Sequence, residues 1–208
     1  MITKHLEIPK CFLIYIDMIK IKELTNFALA EPAISAKAMQ IHYDWHYKKY
    51  VEKANELLKD DEASVIELIN NLPEESKLYN NVAQVFNHEF FFEQFTGFNN
   101  GPCKKTMQLI LDSGWSSLSD FYDEIIDKGS KVFGSGYVWV IKRFGTLRIL
   151  TTSNAVNVAH NQYNTHVMNI DLWEHAYYVD YLNDRKTYIK NVLDWIDWDV
   201  IDKRIWND

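Results

Sequence analysis

The chain is sparing with the residues that cross-link or punctuate a backbone: 208 positions hold two cysteines, four prolines and seven glycines. Cys11 and Cys103 stand far apart and in no metal-ligand spacing, so no disulfide framework or thiolate cluster is expected, and the two read as reduced thiols in a reducing compartment. Long apolar runs are missing too. The longest near the start, Cys11 to Ile16, stops at Asp17, well short of the ~20 residues that span a bilayer, so no membrane association is expected. A basic surplus is also lacking: 22 lysines and arginines face 29 acids, a formal charge of -7, which argues against nucleic acid as a partner. The first residues, "MITKHLEIPKCFLIYIDMIK", join lysines to a short apolar run without an arginine or a small-residue cleavage site, a poor targeting signal. We read residues 1–21 as an N-terminal extension outside the functional argument. Cytoplasm is the expected compartment, with an organellar matrix as the other choice.

What is present suits a folded protein, since 47% of the residues are hydrophobic, ample for a core at this length. Helix formers run from Ser35 to Lys59 without proline or glycine, and the charged stretch "KDDEAS" breaks them. A short helix over Val65 to Asn70 ends before Pro73, and a second long helix runs from Leu78 to Phe95. The loop "TGFNNGPC" closes it and marks the best domain boundary. Beyond it, Lys105 to Leu111 and Ser117 to Lys131 read as helices. "YVWVIKRFGTLRILTTS" then reads as a β-hairpin around a glycine turn, and "HVMNIDLW" as a third strand. Tyr177 to Val192 and Asp197 to Ile205 read as closing helices. The expected fold is α+β: an α-helical hairpin over residues 22–101, then an α/β domain with a small three-stranded antiparallel sheet over 102–208.

Seven histidines are the candidates for chemistry: His5, His42, His46, His88, His160, His166 and His175. On the first long helix His42, His46 and Tyr50 recur every four residues and share a face; Gln84 and His88 repeat that relation on the second. Paired in a hairpin, the two stripes bring three imidazoles, an amide and a phenol together. In "DLWEHAYY", Asp171 and His175 are again four apart, which suits a metal site or a helix start capped by Asp171 with Glu174 in its first turn. A lone histidine on an apolar helix face is more often a hydrogen-bonded core residue than a ligand, and His160 and His166, set among asparagines, are left with that reading.

Taken together, imidazoles with a carboxylate suit iron, manganese or zinc; calcium and magnesium prefer oxygen, and iron-sulfur clusters need thiolates. Two helical competitors fall on the sequence. A di-iron bundle needs Glu-x-x-His pairs, of which there are none, and His88-Glu89 is followed by Phe92 where a zinc protease carries its second histidine.

Four separated blocks resemble one family, the iron/manganese superoxide dismutases: "IHYDWHYKKYV", "NNVAQVFNHEFFF", "FGSGYVWV" and "DLWEHAYYVDYLNDRKTY". The resemblance runs from about Lys22 to the C-terminus and is most specific in the last block. It implies that His42, His88, Asp171 and His175 hold one metal ion, that the reaction is disproportionation of superoxide, and that Tyr50 and His46 form the gateway for substrate and protons. It further implies that Gln84 is the amide tuning the metal's solvent ligand. With Ala155 at the alternative amide position, this is the iron pattern, manganese remaining open. Trp173 resembles a ring walling off the metal. Arg185 resembles an arginine that helps draw in the anion, or serves an ion pair. Glu174 and Tyr178 resemble residues that reach across a homodimer to the partner's ligand histidine (His175) and to its gateway histidine (His46). The pattern is broken at Tyr137, usually tryptophan, at Phe91, often tyrosine in iron-type members, and at Val156 and Lys186, usually glycine and proline. A changed pocket also suits a second reading, a non-catalytic paralogue that keeps metal for structure.

Overall fold

A computed structural model describes residues 18–58, 63–161 and 163–206. Most of the N-terminal extension with His5 and Cys11, and most of the "KDDEAS" break, lie outside them. The first long helix forms as α1 (Ala36–Ile41), a π-helical stretch (His42–Tyr47) and α2 (Lys48–Leu57). Ser35 starts it by accepting the Ala38 N–H at 3.1 Å, as an N-cap serine does. Helix α3 (Val65–Asn71) opens on a reciprocal Ser64–Glu67 capping box, and α4 (Lys77–Phe92) on a Ser76 cap. Helices α2 and α4 pack together as the hairpin anticipated from sequence.

The second half begins with α5 (Lys104–Asp112) and α6 (Leu118–Ser130) and continues into strands β1 (Gly136–Arg143), β2 (Thr146–Ser153) and β3 (Thr165–Asp171). Order is β2-β1-β3 and both pairings are antiparallel. The central strand β1 is buried from Gly136 to Ile141, which is why its sequence is a continuous apolar run, whereas β2 at the edge partly alternates. The register sets Tyr137 of β1 directly opposite Asp171 of β3.

Two expectations are corrected. The helix read over Tyr177 to Val192 is two helices, α7 (Glu174–Tyr181) and α8 (Arg185–Trp195), with α9 (Trp198–Trp206) after them. Leu182 turns into the left-handed region at φ 51°, and Asp184 caps α8 by accepting the Thr187 N–H at 3.0 Å. The turn chemistry of Asn183-Asp184 outweighs the helix formers around it. Helix α4 stops at Phe92, short of the expected Phe95. His166, left with the reading of a core histidine, lies in β3, half-buried against Phe86, Phe90 and Trp139.

Gly136 carries the tightest backbone approach in the sheet: a Cβ there would meet the Thr152 carbonyl oxygen at 2.0 Å. Gly136→Ala must therefore push β2 away from β1, and the expected cost is roughly 3 kcal/mol or more. Gly134→Ala has open space and only a left-handed φ of 75° to offend, at about 1–2 kcal/mol. Thermal unfolding of the two variants side by side checks the ranking; equal losses would contradict it.

Candidate metal centre

Each half of the chain supplies two members of the cluster. His42 begins the π-helical stretch and His88 lies near the end of α4; Asp171 is the last residue of β3 and His175 sits in the first turn of α7. The link between the last two is locked by backbone chemistry. Leu172 N–H donates to Gly136 O at 2.9 Å, and Trp173 N–H donates to Asp171 Oδ1 at 2.8 Å. Trp173 occupies the N-cap position of α7 without a side-chain cap, so Asp171 is not the cap but the brace of the turn before it.

The other carboxylate oxygen, Asp171 Oδ2, faces three imidazole nitrogens: His42 Nε2 at 3.4 Å, His175 Nε2 at 3.8 Å and His88 Nε2 at 3.9 Å. The four donor atoms lie within 4.8 Å of one another. The three nitrogen–oxygen separations are long for hydrogen bonds and near the spacing of ligands that each sit ~2 Å from a shared ion. All three Nε2 atoms are buried without a hydrogen-bond partner, an arrangement a cation satisfies and which is otherwise costly. His88 Nδ1 lies 2.7 Å from the Gln84 carbonyl, so that nitrogen carries the proton and Nε2 keeps its lone pair free. Burial keeps His42 below the usual histidine range and His88 well below it. Burial would raise Asp171, but the flanking His175 and His42 outweigh it and hold the carboxyl far below its usual range. Neutral imidazoles and an ionised carboxylate are the states that bind one metal ion, and this N/O set fits iron or manganese.

Around the four lies a ring of polar and aromatic groups. Tyr137 Oη is 2.9 Å from both Gln84 Oε1 and Asp171 Oδ2. Gln84 Oε1 also accepts from Asn87 Nδ2 at 3.1 Å, whereas its Nε2 is buried with no hydrogen-bond partner among the described residues. His46 stacks on His175, ring centres 3.9 Å apart and 17° from parallel, and the Tyr50 ring lies 5.2 Å from His88. Trp173 flanks His175 at 5.6 Å and Phe91 flanks His42 at 5.9 Å. Half-buried, with His175 and His42 beside it, His46 is pushed down to about 4, by burial first; burial also raises the Tyr50 phenol, against the pull of Gln84. Both residues line an open cleft of about 460 Å³ whose walls include Trp45, Lys49, Lys53 and Asn81.

The sequence placed His42, His46 and Tyr50 on one helical stripe, and the structure brings all three to this region. The π-helical stretch divides their duties: His42 is 1% exposed and faces the cluster, while His46 and Tyr50 stand at the cleft. Wide turns of this kind recur at functional sites. Arg185 keeps its charge but is pinned in place. Its guanidinium donates to Val132 O at 2.7 Å, to Gly134 O at 2.9 Å and to Tyr177 Oη. Glu174 and Tyr178 are exposed on α7. Sequence reasoning missed Asn87 and Asn157, although Asn87 lies three residues past Gln84 on the same helix face and could have been found so. Asn157, bonded to Asn87 from across the fold at 2.5 Å, has no local signal.

Two family models match: the α-hairpin domain of iron/manganese superoxide dismutases over residues 24–96, and the C-terminal domain of the same family over 103–204. An iron superoxide dismutase of Escherichia coli K12 is 35% identical over 179 residues, covering 84% of this chain and 91% of that protein. One from Entamoeba histolytica is 32% identical over 178 residues, 84% of this chain and 92% of its own. A superoxide dismutase from Porphyromonas gingivalis named for both manganese and iron is 32% identical over 176 residues, 83% and 91% of the two chains.

The geometry makes the carboxylate the hub of the cluster. Asp171→Ala is expected to leave purified protein with metal near background after dialysis against a weak chelator, while the parent keeps its ion, as read by mass spectrometry of metal content. Full retention by the variant would remove Asp171 from the ligand set.

Proposed function

Because the chain belongs to the iron/manganese superoxide dismutases, we infer that it converts two superoxide anions and two protons to oxygen and hydrogen peroxide at one metal ion. The observation that carries this is the buried set of four donor atoms, three of them nitrogens without a partner. When bound, a redox-active ion supplies the one-electron couple that allows one superoxide to be oxidised and a second reduced. His42, His88, Asp171 and His175 would hold it. Among the described residues no helix is long and apolar enough to cross a membrane; the cytoplasm remains the proposed compartment.

The remaining residues serve anion entry and proton supply. Superoxide enters by the cleft at His46 and Tyr50, where Lys49 lends local positive charge in an otherwise acidic protein. Tyr50 is the proton relay, its phenol able both to donate and to accept. A phenol is protonated at neutral pH in any case, and burial raises its pKa further. Gln84 offers its unpartnered Nε2–H beside the ligands, and Trp173 and Tyr137 exclude bulk water from them. Gln84 together with an alanine at 155 supports iron as the metal, with manganese the alternative.

A homodimer completes the reading. Glu174, Tyr178 and Val179 lie exposed on α7 next to His175, which is itself 11% exposed at its side chain. In a two-fold pair each α7 would face the other, Glu174 reaching the partner's His175 and Tyr178 the partner's His46.

Two experiments test these proposals. Protein reconstituted separately with iron and with manganese, with metal content measured on the same samples, is expected to dismutate superoxide with iron; a fully loaded but inert protein would instead be the structural paralogue. In sedimentation equilibrium the parent should run as a dimer and Glu174→Ala should shift toward monomer. A parent that is monomeric at micromolar concentration would end the dimer proposal.

A further inference from the structure

Tyr137 has two acceptors and one proton. Its hydroxyl lies 2.9 Å from Gln84 Oε1 and 2.9 Å from Asp171 Oδ2, yet a phenol donates a single hydrogen bond. Turning the Gln84 amide would relieve the conflict by offering Nε2 to the phenol oxygen, but a chain of amides prevents the turn. The chain starts from a group whose polarity is beyond choice, the backbone N–H of Ala159, which donates to Asn157 Oδ1 at 2.6 Å. Asn157 Nδ2 must then be the atom that donates to Asn87 Oδ1, at 2.5 Å. Asn87 Nδ2 in turn faces the Ala155 carbonyl at 3.3 Å and Gln84 at 3.1 Å. A turned Gln84 would set two N–H groups against each other, so Oε1 stays where it is.

Gln84 Oε1 thus has a donor without Tyr137. Asp171 Oδ2 does not: the Trp173 N–H serves Oδ1, and the nearest imidazole nitrogens stand 3.4–3.9 Å away. A hydrogen bond to a carboxylate is also the stronger of the two on offer. We propose that Tyr137, standing where the family usually has tryptophan, is a positioning residue that donates its proton to the ligand oxygen Asp171 Oδ2 and so raises the reduction potential of the metal. The donor draws electron density from the oxygen and weakens its support of the more highly charged oxidation state; partners of ligands tune metals in this way. The inference rests on the reading of the four-residue cluster as the metal centre.

The test is the midpoint potential of the iron-loaded protein and of Tyr137→Phe, which keeps the ring and loses only the donor. Metal content and circular dichroism of both come first. The expected result is a lower midpoint potential in the variant at full iron occupancy. An unchanged or higher potential overturns the inference, and a merely space-filling role for Tyr137 would leave the potential where it was. A parent that takes up no iron overturns the metal reading and the inference together, whereas a loaded, active parent with the same potential as the variant overturns the inference alone. Should the variant not load, Tyr50→Phe protein with ring-deuterated tyrosine supplies the second measurement. Its reduced-minus-oxidised infrared difference spectrum should contain a tyrosine band that moves in D2O, and a spectrum without one counts against the proposal as firmly.

Discussion

One carboxylate, fully buried and ringed by three imidazoles, sets the terms for everything near it. An ionised Asp171 at 0% exposure is stable only if charge or hydrogen bonds answer it. The protein answers one oxygen with a backbone N–H and the other with a phenol, and leaves three imidazole nitrogens facing that second oxygen without hydrogen-bond partners. A cation among them would repay both the desolvated charge and the unpartnered nitrogens, so metal uptake and folding stability are coupled. The register of β1 against β3 follows from the same need. Tyr137 must stand opposite Asp171 for its hydroxyl to reach the carboxylate, and a slip of one residue would turn that side chain to the other face of the sheet.

Because two donors come from each half of the chain, the halves must be fixed to each other more firmly than a loop can manage. Gln94, just past α4, does much of this. Its Nε2 donates to Asn169 O and its Oε1 accepts from Asn169 N–H, each at 2.8 Å, so a side-chain amide bonds β3 as a neighbouring strand would. Asn169 Nδ2 returns the contact to Asn87 O at 3.0 Å. Arg204 of α9 lies with its guanidinium 3.5 Å from the centre of the Phe90 ring and donates to Phe90 O and to Glu93. These bonds hold α4, and with it Gln84 and His88, against the strand that ends in Asp171. Buried amides of this kind are secure when fully satisfied and costly when not.

The site was legible in the sequence where chemistry and spacing coincide on one element: Gln84 with His88, and Asp171 with His175, sit four apart and do meet. Hairpin, sheet and helix order were legible for the same reason, since the periodicity changes from helical to strand-like near residue 136. What escaped depended on contacts between elements. The π-helical stretch has no propensity signature, so the sequence suggested one stripe where the structure has an inward His42 and a cleft-facing pair. Arg185 was legible as a cation, but nothing local reveals the carbonyls of Val132 and Gly134 that hold it. The break at Leu182 was visible as Asn-Asp but was outvoted by the formers around it.

Departures from the family pattern make sense when each is set in this frame. Phe91 lies fully buried against His42 and Phe95, where a hydroxyl would need a partner of its own. Tyr137 is the opposite case, a hydroxyl that has partners in excess. An indole at that position offers one N–H and no acceptor, whereas a phenol can both donate and accept. Asn157 fixes the amide that Tyr137 faces, because its polarity is dictated by a backbone N–H and passes through Asn87 to Gln84. With the amides fixed in this way, the single proton of Tyr137 is left to Asp171 Oδ2, the acceptor that has no other donor.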